Sequence, residues 1–118
     1  MKYTLLFCND LEAGKRWEAL PEDTRNEAYG RIGKWFEDNG SVMRAGEEFQ
    51  GAATATTVRF DENQQPIVTD GPFIEASEVV GGFSVIEVEN LDAALKLAKT
   101  WPGMTSVEVR PVVDHSAG

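Results

Sequence analysis

The stretch Val68-Thr69-Asp70-Gly71-Pro72-Phe73, followed at short range by Val80-Gly81-Gly82-Phe83, decides how this chain must be read. Asp70 offers a side-chain acceptor, Gly71 is free to take positive φ, and Pro72 is locked near a φ of about −65°, so together they dictate a corner. Before the corner, Ile67-Val68-Thr69 reads as extended chain, and Asp61-Glu62-Asn63-Gln64-Gln65-Pro66 is polar turn material. Thr54 to Phe60, rich in β-branched residues, lies on the far side of that turn. The pattern predicts a β-hairpin that ends at the corner.

Working toward the N-terminus, Val42 to Phe49 is a further strand, set off from the hairpin by Gln50-Gly51. Ahead of it, Ala28, Tyr29, Ile32, Trp35 and Phe36 form one apolar helical stripe, opened by Pro21-Glu22-Asp23 and stopped by Asn39-Gly40. Leu11 to Leu20 reads as a loose helical turn. Lys2 to Cys8 is the first strand, with Tyr3, Leu5 and Phe7 on one face and Thr4, Leu6 and Cys8 on the other, broken by Asn9-Asp10. Both faces are apolar, as in a strand covered on both sides.

Toward the C-terminus, Gly82 to Val88 is a strand, and Gly81-Gly82 marks a bulge or a close backbone approach at its start. Asn90 caps a second helix carrying Leu91, Ala94, Leu95 and Ala98, which closes near Trp101-Pro102-Gly103. Ser106 to Val113 is the last strand. The resulting order is two βαβ units joined by an inserted hairpin, a ferredoxin-like split βαβ plan of the α+β class.

The 118 residues, 42% hydrophobic and 26% charged, fit one domain over residues 1–113 with a flexible tail at 114–118. Eleven Lys plus Arg against twenty Asp plus Glu give a net charge of −9, which disfavours direct binding to nucleic acid or to anionic lipid. The apolar run Leu5 to Cys8 is too short for a signal peptide or a membrane span, so a cytoplasmic location is expected. With Cys8 as the single cysteine there is no internal disulfide, and Cys8 is read as a small buried hydrophobe. No metal-ligand spacing and no phosphate-cradling glycine loop occurs, so no metal and no cofactor is expected. Trp17, Trp35 and Trp101 are read as packing residues.

Strand parity separates Val107, Val109 and Pro111 from Glu108 and Arg110, and Val58 from Thr57 and Arg59. One sheet face is thus apolar and takes the helices. The other mixes Tyr3 and Phe7, or their neighbours Leu6 and Cys8, with Arg59, Glu87, Glu108 and Arg110. A face of that kind calls for a partner, and a homodimer formed through the sheets is the economical one.

Together these strings resemble the YCII-related, or DGPF-domain, family. They are Asp70-Gly71-Pro72-Phe73, Glu75-Ala76, Gly81-Gly82-Phe83, Ser106-Val107-Glu108-Val109-Arg110-Pro111-Val112, Lys2-Tyr3 with Leu5-Leu6, and Ala53 to Arg59. The resemblance covers Met1 to about Val113. It implies a dimeric α+β barrel, similar in architecture to muconolactone isomerases, with a small-molecule pocket. It also implies a protein partner, since DGPF domains occur beside extracytoplasmic-function sigma factors. The His and Asp pair proposed as an active site in the YCII branch has no counterpart, because the lone histidine, His115, lies beyond the last strand.

Asp70 is the acidic residue that matches the family motif. It can serve as a general base or ligand acceptor in an isomerase- or hydrolase-type enzyme, or fix the corner as an Asx turn. Phe73 can wall a pocket or fill core. Arg59 and Arg110 can hold an anionic ligand or pair with Glu108 and Glu87, with Arg44 joining them. Glu75 and Glu78 read as solvated loop carboxylates. The reading is a dimeric small-ligand protein, with a regulatory partner module and an Asp70-dependent enzyme as the alternatives.

Overall fold

A computed structural model describes residues 1–71, 78–103 and 106–117. Strand β1, Lys2–Asp10, runs into helix α1, Leu11–Ala19, and helix α2 follows over Glu22–Asp38. Strand β2 is Met43–Glu48, and β3, Thr56–Phe60, pairs with β4, Pro66–Asp70. Strand β5, Glu78–Glu87, helix α3, Leu91–Ala98, and strand β6, Ser106–Pro111, complete the order. The main sheet is β2-β5-β1-β6, antiparallel at each described pairing, and β3-β4 forms a second, two-stranded sheet. This is the ferredoxin-like α+β arrangement, with the hairpin inserted between β2 and β5.

Local chemistry sets the boundaries. The strand does not break at Asn9-Asp10 but continues through Asp10, whose carboxylate accepts from the Ala13 N–H and caps α1. What the sequence presents as a loose turn is therefore a full helix. Asn90 caps α3 as expected, accepting from the Ala93 N–H at 3.0 Å. The strand starts at Glu78 rather than Gly82, so Gly81-Gly82 lies inside β5 and not at its start, and there it shows both a bulge and a close backbone approach. Phe7 lies opposite Gly82 but Cys8 opposite Val80, so Gly81 is the extra residue of a bulge. A Cβ on Gly82 would lie 2.8 Å from the Glu47 carbonyl oxygen on β2.

Tyr3, Leu5, Ile86, Ala94 and Trp35 form the buried core on the helix side of the sheet. Phe7 stacks on Trp101 with centroids 4.1 Å apart, and Trp35 meets Trp101 edge-on at 5.1 Å. The Trp35 indole N–H donates to Thr100 Oγ1 at 2.8 Å, tying α2 to the end of α3. Trp17 lies apart from this cluster, against Tyr29 at 5.3 Å.

The hairpin turn is built on Asp61, which accepts from the N–H groups of Asn63 and Gln65 at 2.8 and 2.9 Å. Gln64 takes a φ of 61° there. At the other end Gly71 takes a φ of 98°, the positive value that the Asp-Gly-Pro corner requires.

Candidate functional site

The sheet face away from the helices is assembled by strand alternation. Leu6 of β1 lies between Phe83 of β5 and Glu108 of β6, and Thr4 lies between Val85 and Arg110. Cys8 is opposite Ser106, and Glu47 of β2 flanks Phe83. Leu6, Cys8, Phe83 and Val85 are half-buried, and the exposed Phe49 ring lies 6.0 Å from Phe83. The result is an apolar centre with charges at its margins. Of the two possibilities left open by parity, Leu6 and Cys8 occupy this face, while Tyr3 and Phe7 turn to the helices.

The arginines on the sheet are satisfied within the chain. Arg110 Nε donates to Glu108 Oε2 at 2.8 Å along the same strand. Arg44 Nε donates to Glu87 Oε1 at 3.2 Å, and its Nη1 donates to the carbonyls of Ser41 and Met43. These are separate exposed pairs rather than one network, each worth about 1 kcal/mol or less. A ligand carboxylate can compete for either guanidinium.

Arg59 does not belong to this face. It lies on β3, which pairs with β4 and not with the main sheet, so alternation places it on a face of the hairpin and not beside Glu108 and Arg110. Asp70, opposite Thr56 at the end of β4, accepts no hydrogen bond among the described residues. At the described part of the corner the Gly71 N–H donates to the Ala55 carbonyl and the Thr57 hydroxyl donates to the Gly71 carbonyl, both at 2.7 Å, while Pro72 and Phe73 lie outside the described residues. An Asx turn that sequence reasoning did not single out falls at Asp61, a residue whose position at the head of a polar loop was the available signal. Phe73 and Glu75 lie outside the described residues, and Glu78 is exposed at the start of β5.

Burial raises the Cys8 thiol above its ordinary value, and the nearby Glu78 and Glu108 carboxylates push it the same way. This is the environment of an inert thiol. A concavity missed by sequence reasoning opens on the helix side between α3 and β6. It has a volume of about 290 Å³ and is lined by Leu95, Lys99, Trp101, Ser106, Val107 and Val109 among others. Its signal was the end of α3, where Gly103 leaves room for the folded-back Trp101 ring. Among the described residues no group of three or more His, Cys, Asp or Glu is placed to hold a metal. No helix there is long and apolar enough to cross a membrane.

An antiparallel β2-β5-β1-β6 sheet backed by helices, with a half-buried apolar outer face, defines a ferredoxin-like α+β protein. The YCII-related domain model matches residues 22–116, and the chain belongs to that family. It is 28% identical over 122 residues to the uncharacterized protein R00369 of Rhizobium meliloti (strain 1021), covering 100% of this chain and 97% of that one. In fold it is similar to the 5-chloro-2-hydroxyhydroquinone dehydrochlorinase of Burkholderia phenoliruptrix AC1100, solved in complex with 2,5-dihydroxybenzoquinone. The TM-score is 0.57 at 16% identity, over 99% of this chain and 98% of that one.

Proposed function

We propose that the chain works as a homodimer whose outer sheet face binds a small ligand with a largely apolar body and a polar or anionic edge. The observation that carries this reading is surface area. The chain exposes 8615 Å². A compact monomer of its mass exposes roughly 6,300 Å², so about 2,300 Å² is left uncovered. Per chain, that excess is larger than a standard interface removes and fits the larger interfaces of obligate homodimers, and the half-buried apolar centre of Leu6, Phe83 and Val85 is a surface that a partner would cover.

The ligand class follows from the same face. Its apolar centre suits a flat or hydrophobic body, and the margins offer Arg110 and Arg44 in weak pairs that an anionic group can displace. A protein of the same fold was solved with a small dihydroxyquinone, which supports a small-molecule occupant. Binding rather than catalysis is the reading. Among the described residues the Asp70 carboxylate makes no hydrogen bond or ion pair, so none of them sets it up as a general base.

Sedimentation at micromolar concentration tests the dimer, and a mass equal to one chain overturns it. Thermal denaturation with small aromatic carboxylates and 2,5-dihydroxybenzoquinone tests the ligand class. The expected outcome is a midpoint that rises with ligand concentration and rises less in Arg110→Gln. Unchanged midpoints across both compound classes at millimolar concentration overturn it.

A further inference from the structure

We infer that the β3–β4 hairpin is an arm that docks on the outer sheet face of a second copy, so that each ligand site takes its sheet from one subunit and its cover from the other. The inference rests on the dimer proposed above and goes further in assigning which surfaces meet. Pairing in the hairpin puts Val58 opposite Val68, with Phe60 and Pro66 toward the tip and Thr56 and Asp70 toward the base, all on one face. Val58 is 50%, Phe60 63% and Val68 64% exposed, so this apolar face is uncovered by its own chain. A lone two-stranded hairpin is marginally stable in water and needs a surface to rest on.

The arm also accounts for the molecule's shape. The radius of gyration is 16.6 Å. A compact chain of this length has about 13.5 Å. The extents of 50 × 47 × 18 Å describe a flat, spread body. One chain thus carries two unpartnered apolar surfaces, the face of the arm and the centre of the sheet. A two-fold dimer in which each arm lies on the other subunit's sheet covers both, twice over, with no third component. The excess area of two chains together is roughly 4,600 Å², within the range of obligate homodimers. Docking of this face carries Asp70 with it and brings that carboxylate from one subunit to the ligand site of the other.

Complementation tests the arrangement. Val68→Asp alters the arm and Val80→Asp alters the sheet face; both positions are exposed, so the subunit fold is retained, as circular dichroism checks. Each variant alone is expected to dimerise about tenfold or more weakly than the parent, because a charge is forced into a desolvated apolar contact. Mixed in equal amounts they are expected to form heterodimers in native mass spectra well above the statistical half, since the heterodimer keeps one intact arm-on-sheet contact. A parent dimer with Val68→Asp unaffected, or a mixture with no excess of heterodimer, overturns the arm assignment while leaving the dimer standing. A monomeric parent overturns both.

Discussion

Asp70 and Arg59 stand on opposite faces of the β3–β4 hairpin. Asp70 lies opposite Thr56 on the side of Val58 and Val68, whereas Arg59 lies opposite Ile67 on the other side. Two residues that look like an acid and its guanidinium partner are therefore held apart by the pleat. No ion pair joins them, and any site that uses one cannot draw on the other from the same chain.

The two aspartates of the hairpin are expected to respond differently to substitution. Asp61→Ala removes an acceptor for two backbone N–H groups and should cost about 1–2 kcal/mol of hairpin stability. Asp70→Asn removes no hydrogen bond among the described residues and should stay within about 0.5 kcal/mol of the parent. Amide hydrogen exchange across Thr56 to Asp70 measures both. Faster exchange in Asp70→Asn than in Asp61→Ala would reverse the assignment of the structural turn.

Glycines give a second paired prediction. Gly33→Ala, in the middle of α2 with open space around its Cβ position, should stabilise the protein by about 0.5–1 kcal/mol. Gly82→Ala places a methyl 2.8 Å from the Glu47 carbonyl oxygen and should destabilise by about 1–3 kcal/mol, chiefly by loosening β2 from β5. Urea midpoints of the two variants are expected to move in opposite directions.

These contrasts show what was legible in the sequence. Turn and cap chemistry is local, so Gly71, Asn90 and the Gly81-Gly82 bulge could be read from neighbours alone. Side-chain alternation is also local, and it correctly separated Val107 and Val109 from Glu108 and Arg110. Sheet membership is not local. Arg59 obeys the same alternation as Arg110 but in a different sheet, and no spacing within β3 could say so. The pairing of Arg110 with Glu108 and of Arg44 with Glu87 likewise depended on rotamers and on the β2–β5 register.

The core makes a prediction of its own. Trp35→Phe keeps an aromatic ring near Phe7 and Trp101 but deletes the donor to Thr100 Oγ1 and leaves a gap. A loss of about 1–3 kcal/mol is expected, together with a change in near-ultraviolet circular dichroism from the disturbed Trp101. Thr100→Ala should cost less, because it leaves the ring packing in place. A Thr100→Ala loss exceeding that of Trp35→Phe would place the weight of this contact on the hydroxyl instead.

The last prediction concerns alkaline pH. Burial first, then the Glu78 and Glu108 carboxylates, raise the Cys8 thiol, against smaller opposing hydrogen bonds involving the Ser106 side chain and the Glu108 backbone. Tyr29 is raised in the same sense, by burial and then by Glu48, whose carboxylate accepts its hydroxyl proton at 3.2 Å. In both cases the folded state holds the proton more tightly than the unfolded chain. The associated stability is full below the unfolded value of each group, falls as pH rises past it and is lost once pH passes the folded value. Stability should therefore decline in the alkaline range, and the Cys8 part of the decline should vanish in Cys8→Ala. The pH midpoint for alkylation of Cys8 by iodoacetamide should lie above that of a cysteine in a short peptide, and Glu108→Gln should bring it down. A midpoint at or below the peptide value would mean that Cys8 is an activated thiol and that the outer face is more reactive than its burial implies.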